Sequence, residues 1–182
     1  MIYKSEDAEK RSAFLVADKM VAAAKTAPKG CGEDKVISFI LDGNDKDVLS
    51  AHMRDIAKET GADFFERDAK NVDDSHCIVL LGVLSDPLGL DPCGMCGFEN
   101  CAEMTKSGAN CAFNVTDLGI AVGSAVSIAA DNRIDNRVLF SAGQAALRMG
   151  CFPSGVRVCF GIPLSTSSKS IFFDRDPENV MV

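Results

Sequence analysis

Cys77-Ile-Val-Leu-Leu-Gly-Val-Leu84 is the stretch on which the fold turns. It is apolar at odd and even positions alike. A strand with one face in water alternates, so this run predicts a central strand covered on both sides. Working outward, Val36-Ile-Ser-Phe-Ile-Leu41 is a shorter apolar run bounded by turn residues, and 156–162 is another. Both read as strands. Helices lie between them. Ser5 is placed to cap one that starts at Glu6, with Phe14, Ala17, Met20, Val21 and Ala24 on one face and Pro28 and Gly30 ending it. A second is expected over 47–60, after a turn at Asp42-Gly43-Asn44-Asp45, and stopped by Gly61. Two more are expected at about 113–130 and 135–149, the latter capped by Asp135 and ended by Gly150. Residues 165–170 read as a hydroxyl-rich loop and Ile171-Phe172-Phe173 as a short extended piece. The result is an α+β (α/β layered) domain.

The chain has 182 residues, which predicts one domain over 1–182. Its net charge of −7 argues against nucleic acid, because an acidic surface repels phosphates. The N-terminus has no apolar core of a secretory signal. The longest apolar stretch, 118–130, is shorter than the roughly 20 residues of a membrane span. The expected location is the cytoplasm, where thiols stay reduced. Residues 107–173 hold eight charged side chains, about half the chain's average density of 25%. Gly119 and Gly123, with Ala121, Ala125 and Ala129, repeat at helical spacing inside this stretch. It is either deep core or a homodimer interface, both of which are depleted of charge.

Four of the eight cysteines fall in Cys93-Gly-Met-Cys96-Gly-Phe-Glu-Asn-Cys101 and Cys111. Structural zinc sites usually arrive as two close Cys pairs. Three close cysteines plus a fourth is the manner of [4Fe–4S] ligation, and Gly94 and Gly97 free the backbone to wrap a cluster. Zinc stays open as the alternative. Cys77 and Cys159 sit in apolar runs and read as packing, and Cys151 as core or turn. Cys31 lies in a loop beside Lys29, whose charge could activate it. His52 and His76 fall in no catalytic pattern. Ser165-Thr-Ser-Ser-Lys169 could hold a phosphate but reads better as a solvated loop. The triplets Asp131-Asn-Arg133 and Asp135-Asn-Arg137 leave the arginines unexplained. No nucleophile elbow, zincin, P-loop or dinucleotide fingerprint is present.

The 93–101 motif resembles the small [4Fe–4S] module of electron-transfer subunits in anaerobic membrane complexes and of corrinoid proteins. That resemblance implies Cys93, Cys96 and Cys101 as ligands, with Cys111 as the fourth. The whole chain resembles an uncharacterised prokaryotic family described as containing a ferredoxin domain. Ala27-Pro-Lys-Gly30, Cys111-Ala-Phe-Asn-Val-Thr-Asp-Leu-Gly-Ile-Ala-Val-Gly-Ser124, Ala130-Asp-Asn-Arg-Ile-Asp-Asn-Arg137 and Gly161-Ile-Pro-Leu-Ser165 carry it. The frame is also similar to the FMN nitroreductases, in which an Ala-Pro-Ser-x-x-Asn loop faces the flavin and an Arg-Ser-x-Arg motif holds its phosphate. That similarity implies a sheet flanked by helices, a homodimer and FMN at its interface. Here Ala27-Pro28 fits, while Lys29-Gly-Cys-Gly-Glu-Asp34 lacks the Asn, and Arg11-Ser12-Ala13-Phe14 lacks the second Arg.

The expectation is a cytoplasmic iron–sulfur redox protein with an inserted cluster-binding segment at 85–112. It would pass electrons to a partner protein, a small-molecule acceptor or a flavin. The alternatives are a non-catalytic interaction protein with a structural four-cysteine site, and a flavoenzyme whose cysteines are incidental.

Overall fold

The structure, a computed structural model, describes residues 1–173, and the acidic tail from Asp174 lies outside the described residues. Cys77–Leu84 forms β2, paired antiparallel to β1 (Val36–Leu41) on one side and to β4 (Val156–Ser165) on the other. A two-residue β3 (Asp135–Asn136) pairs with the end of β4, giving the order β1-β2-β4-β3.

Alternation along β2 sorts its side chains between two hydrophobic cores, as its unbroken apolar run predicts. Cys77, Val79, Leu81 and Val83 face a core shared with α1 (Ser5–Thr26) and α5 (Ala112–Asp131). Ile78 and Leu80 face a second core shared with α2 (Gly43–Thr60), α3 (Phe64–Asp73) and α6 (Phe140–Met149). The first core uses small residues, Ala13 and Ala17 from α1 with Ala121 and Ala125 from α5, so the two helices pack closely. The second has an even tighter contact. A Cβ at Gly143 would stand 1.8 Å from the Cys159 carbonyl oxygen, so α6 lies with its backbone on β4.

Several expectations need correction. Asp135 does not cap a helix, because 135–136 pair with Ser165 and Leu164. Leu139 then exchanges two hydrogen bonds with Gly161, and α6 starts only at Phe140. Residues 42–45 are not a free turn, since α2 begins at Gly43. Ser5 is the first residue of α1, and Lys4 holds the cap position instead. Ile171–Phe173 form a turn with Phe172 buried. The helix α3 was not expected from the sequence. In α5, the most apolar 18-residue window has a mean hydropathy of 1.4, enough by length and composition to cross a bilayer. Here one face of it packs on α1 and β2, and it buries Asn114 and Asp117.

Candidate metal centre

Between β2 and α5 the chain makes a long excursion fastened at both ends. At its start, the Asn114 amide donates to the carbonyls of Leu84 at 2.9 Å and Asp86 at 2.5 Å. Lys35 Nζ donates to Asp86 and Pro87 carbonyls at 3.0 and 2.9 Å. The loop then turns at Gly94 and Gly97, with φ of 69° and 83°, closed by the Gly97 N–H to the Gly94 carbonyl at 2.9 Å. Only glycine adopts such angles without strain.

A short helix, α4 (Cys101–Ser107), follows. Asn100 caps it by accepting the Glu103 N–H at 3.0 Å, the expected use of Asn at that position. Met104 is its buried anchor. At the far end, Arg157 on β4 donates to the Gly108 carbonyl at 2.6 Å. Cys111 then stands at the N-cap of α5, its carbonyl accepting the Val115 N–H.

These fastenings bring the four motif cysteines to one cavity of about 330 Å³. Cys93, Cys96, Cys101 and Cys111 all line it, and all four thiols are free. Met95, Phe98, Met104 and Phe113 supply apolar wall. Among the described residues no three Cys, His, Asp or Glu side chains converge as they would around a single ion. The thiols surround a hollow instead. Its donor set is soft sulfur, which suits iron–sulfur chemistry. Cys111 sits at the N-cap of a 20-residue helix, at the positive end of the helix dipole.

The other cysteines stand apart. Burial, with Asp42 and Asp18 adding to it, pushes the Cys77 thiol up to about 12. Burial also pushes Cys159 and Cys151 up, so these three are packing residues and poor nucleophiles. Cys31 is exposed, in a 3-10 turn over Gly30–Gly32 with φ of 55°. Lys29 is engaged on the end of α1. Its ammonium donates to the carbonyls of Ala24, Lys25 and Ala27 at 2.6, 2.8 and 2.9 Å. A cation at a helix C-terminus satisfies orphan carbonyls and meets the negative end of the helix.

The remaining candidates are structural. His76 Nε2 bonds Thr166 Oγ1 at 2.7 Å, and His52 lies on α2. Ser165 and Ser167 hydrogen-bond each other. Arg137, unexplained by sequence, lies over the Phe173 ring with its guanidinium 5.3 Å from the centroid, and it donates to the Phe172 carbonyl. Sequence reasoning missed Asn114, Lys35 and Arg157, which act on main-chain carbonyls that no motif marks.

The flavin expectation can be tested on the same residues. Among the described residues no Lys or Arg lines the cavity to meet a phosphate, and its charged lining groups are Asp91 and Glu99. At the Ala27–Gly30 loop, the Gly30 N–H is taken by both oxygens of Asp117 at 3.0 Å. A Cβ on Gly30 would meet Leu88 Cδ1 at 2.8 Å and Phe113 at 3.3 Å, so the chain packs against Gly30 itself while Pro28 stays exposed. Within one chain these residues do not fit FMN.

The family described as "uncharacterized protein containing a ferredoxin domain" matches residues 107–175, which include Cys111. An uncharacterized protein of Archaeoglobus fulgidus is 37% identical over 98% of this chain and 100% of its own length. Among solved structures, the hypothetical oxidoreductase YcnD from Bacillus subtilis has a TM-score of 0.53 at 13% identity. The match covers 86% of this chain but only 58% of YcnD, so this chain spans less than two thirds of that protein. A nitroreductase with bound FMN from Desulfitobacterium hafniense has a TM-score of 0.50 at 13% identity, covering 100% of this chain and 88% of its own. The fold, mixed helices on an antiparallel sheet, is therefore nitroreductase-like.

Proposed function

This chain belongs to the family of uncharacterized proteins containing a ferredoxin domain, and from that premise we propose that it is a one-electron redox protein with one [4Fe–4S] cluster held by Cys93, Cys96, Cys101 and Cys111. The observation that carries this reading is the single cavity lined by all four thiols. The family and the nitroreductase-like fold both favour a redox role. A zinc ion draws its sulfurs to about 2.3 Å from one point. A cube binds one thiolate per iron and spreads them, which suits thiols set around a hollow.

When bound, the cluster supplies a one-electron couple. The chain's part is to hold and tune it. Cys111 meets the positive end of α5, and Phe98, Met104 and Phe113 limit water at the sulfurs on that side, a lever on potential. The FMN of the Desulfitobacterium protein is not carried over, because the residues that would hold it are absent or already engaged. Electrons pass to a redox partner protein or a small acceptor, in the reducing cytoplasm. We also propose a homodimer through α5, whose outer face exposes Val115, Gly119, Ile120 and Gly123 without a charge. Sedimentation should give twice the chain mass, and Ile120→Lys should halve it.

The test of the redox reading is a reductive titration of the anaerobically purified full chain. Reversible bleaching by dithionite with the fold intact is expected. A cluster that changes redox state only on unfolding would make the site structural and the reading wrong.

A further inference from the structure

Resting on the cluster reading above, we infer that the Cys93 corner of the cavity is a labile iron site, from which a single ferrous ion leaves and returns while the other three ligands stay in place. The exposure and anchoring of the four cysteines run in one direction around the cavity. Cys111 is 7% exposed and opens α5, which is tied down through Asn114 and Asp117. Cys101 is half-buried and opens α4, held by the Asn100 cap, buried Met104 and Arg157. Cys96 is half-buried within the turn closed between Gly94 and Gly97. Cys93 is exposed and belongs to no helix or strand, and Asp91, Pro92, Gly94 and Met95 around it are exposed too. Solvent therefore reaches this corner first, and its ligand moves at the lowest cost. Asp91 lines the same wall, a carboxylate that suits an arriving or departing ferrous ion.

The chemistry needs a one-electron oxidant such as ferricyanide. It takes one electron from the 2+ cube, giving the 3+ cube. That cube releases one Fe²⁺ and leaves a [3Fe–4S]⁺ cluster. The bond from iron to the Cys93 sulfur breaks with its electron pair on sulfur, and the thiolate takes a proton from water. Added Fe²⁺ and one electron from dithionite reverse the step. The protein then senses oxidant and iron supply without unfolding.

The experiment treats the anaerobically purified full chain with ferricyanide. Release of one ferrous ion per chain to a chelator is expected, together with the paramagnetic signal of a three-iron cluster. Iodoacetamide should then label Cys93 by peptide mapping, but not before oxidation. The exposed Cys31 should be labelled in both states and serves as the reference. Cys93→Ala should keep about three irons and Cys111→Ala should keep almost none. If the untreated chain holds no iron, the cluster reading itself fails. If it holds four but loses them all without a three-iron signal, or newly exposes Cys96, Cys101 or Cys111, only this inference is overturned.

Discussion

Seven of the eight residues of β2 are buried, whereas between residues 91 and 110 only Met104 is. The two regions are neighbours in the chain, but their stability has different sources. The frame is ordered by apolar burial on both faces of the sheet. The cysteine segment buries almost nothing, so its order comes from the fastenings at its two ends and from whatever its thiols bind. A frame change should therefore cost stability and spare the metal, and a ligand change should do the reverse.

The largest expected effect is in the frame. Leu80 is fully buried, and Leu80→Ala should cost about 3 kcal/mol in denaturant unfolding while the folded fraction keeps its iron. Cys111→Ser should show the opposite, losing most of its iron with little change in the frame's unfolding midpoint. If both variants lose iron and stability together, the two regions are one unit and the comparison fails.

Removing the metal with a chelator sharpens the contrast. Limited proteolysis of the stripped protein should cut first between residues 88 and 100, leaving the frame resistant. Cuts that appear first in α2 or α6 would contradict it.

Asn114 belongs to both regions. It is 2% exposed, and its amide holds the start of the segment three residues beyond Cys111. Asn114→Ala should cost about 1–2 kcal/mol by unfolding and also speed iron loss to a chelator. An effect on stability alone would confine Asn114 to the frame.

The smallest effect is a pH dependence confined to the frame. Burial lowers the His76 imidazole below its ordinary 6.5, with Lys10 and Lys46 adding to this and Glu9 opposing it. A base lowered in the folded state contributes stability that is complete above 6.5 and declines as pH falls through the folded value. His76→Asn should flatten that decline in thermal unfolding below pH 6.5 and leave iron content unchanged.

Much of this division was legible in the sequence. The unbroken apolar run of β2, the periodic face of α1 and the periodic small residues of α5 marked the frame, because burial repeats at the period of the element. The spacing of the four cysteines marked residues that line one cavity. Other parts were hidden because their reasons lie far along the chain. In α3, Asp68 and Asn71 are buried beside Phe65, Ala69 and Val72, so polar residues interrupt its short apolar face. Asp68 accepts the Ser141 hydroxyl at 2.6 Å, and Asn71 donates to the Ile171 carbonyl at 2.6 Å, partners 73 and 100 residues away. Asp135 resembled a cap because its strand partner, Ser165 on β4, lies 30 residues further along the chain. The glycine–alanine rows of α5 had two readings, and the structure divides them. Ala121, Ala125 and Ala129 lie in the core, while Gly119 and Gly123 face outward.

The central claim is that the four thiols around the cavity hold an iron–sulfur cube, and its most direct test is chemical analysis of the full chain purified without oxygen. A brown protein with about four iron and four acid-labile sulfide per chain, lost in Cys111→Ser, is the expected result. A colourless protein carrying one zinc and no sulfide would contradict it.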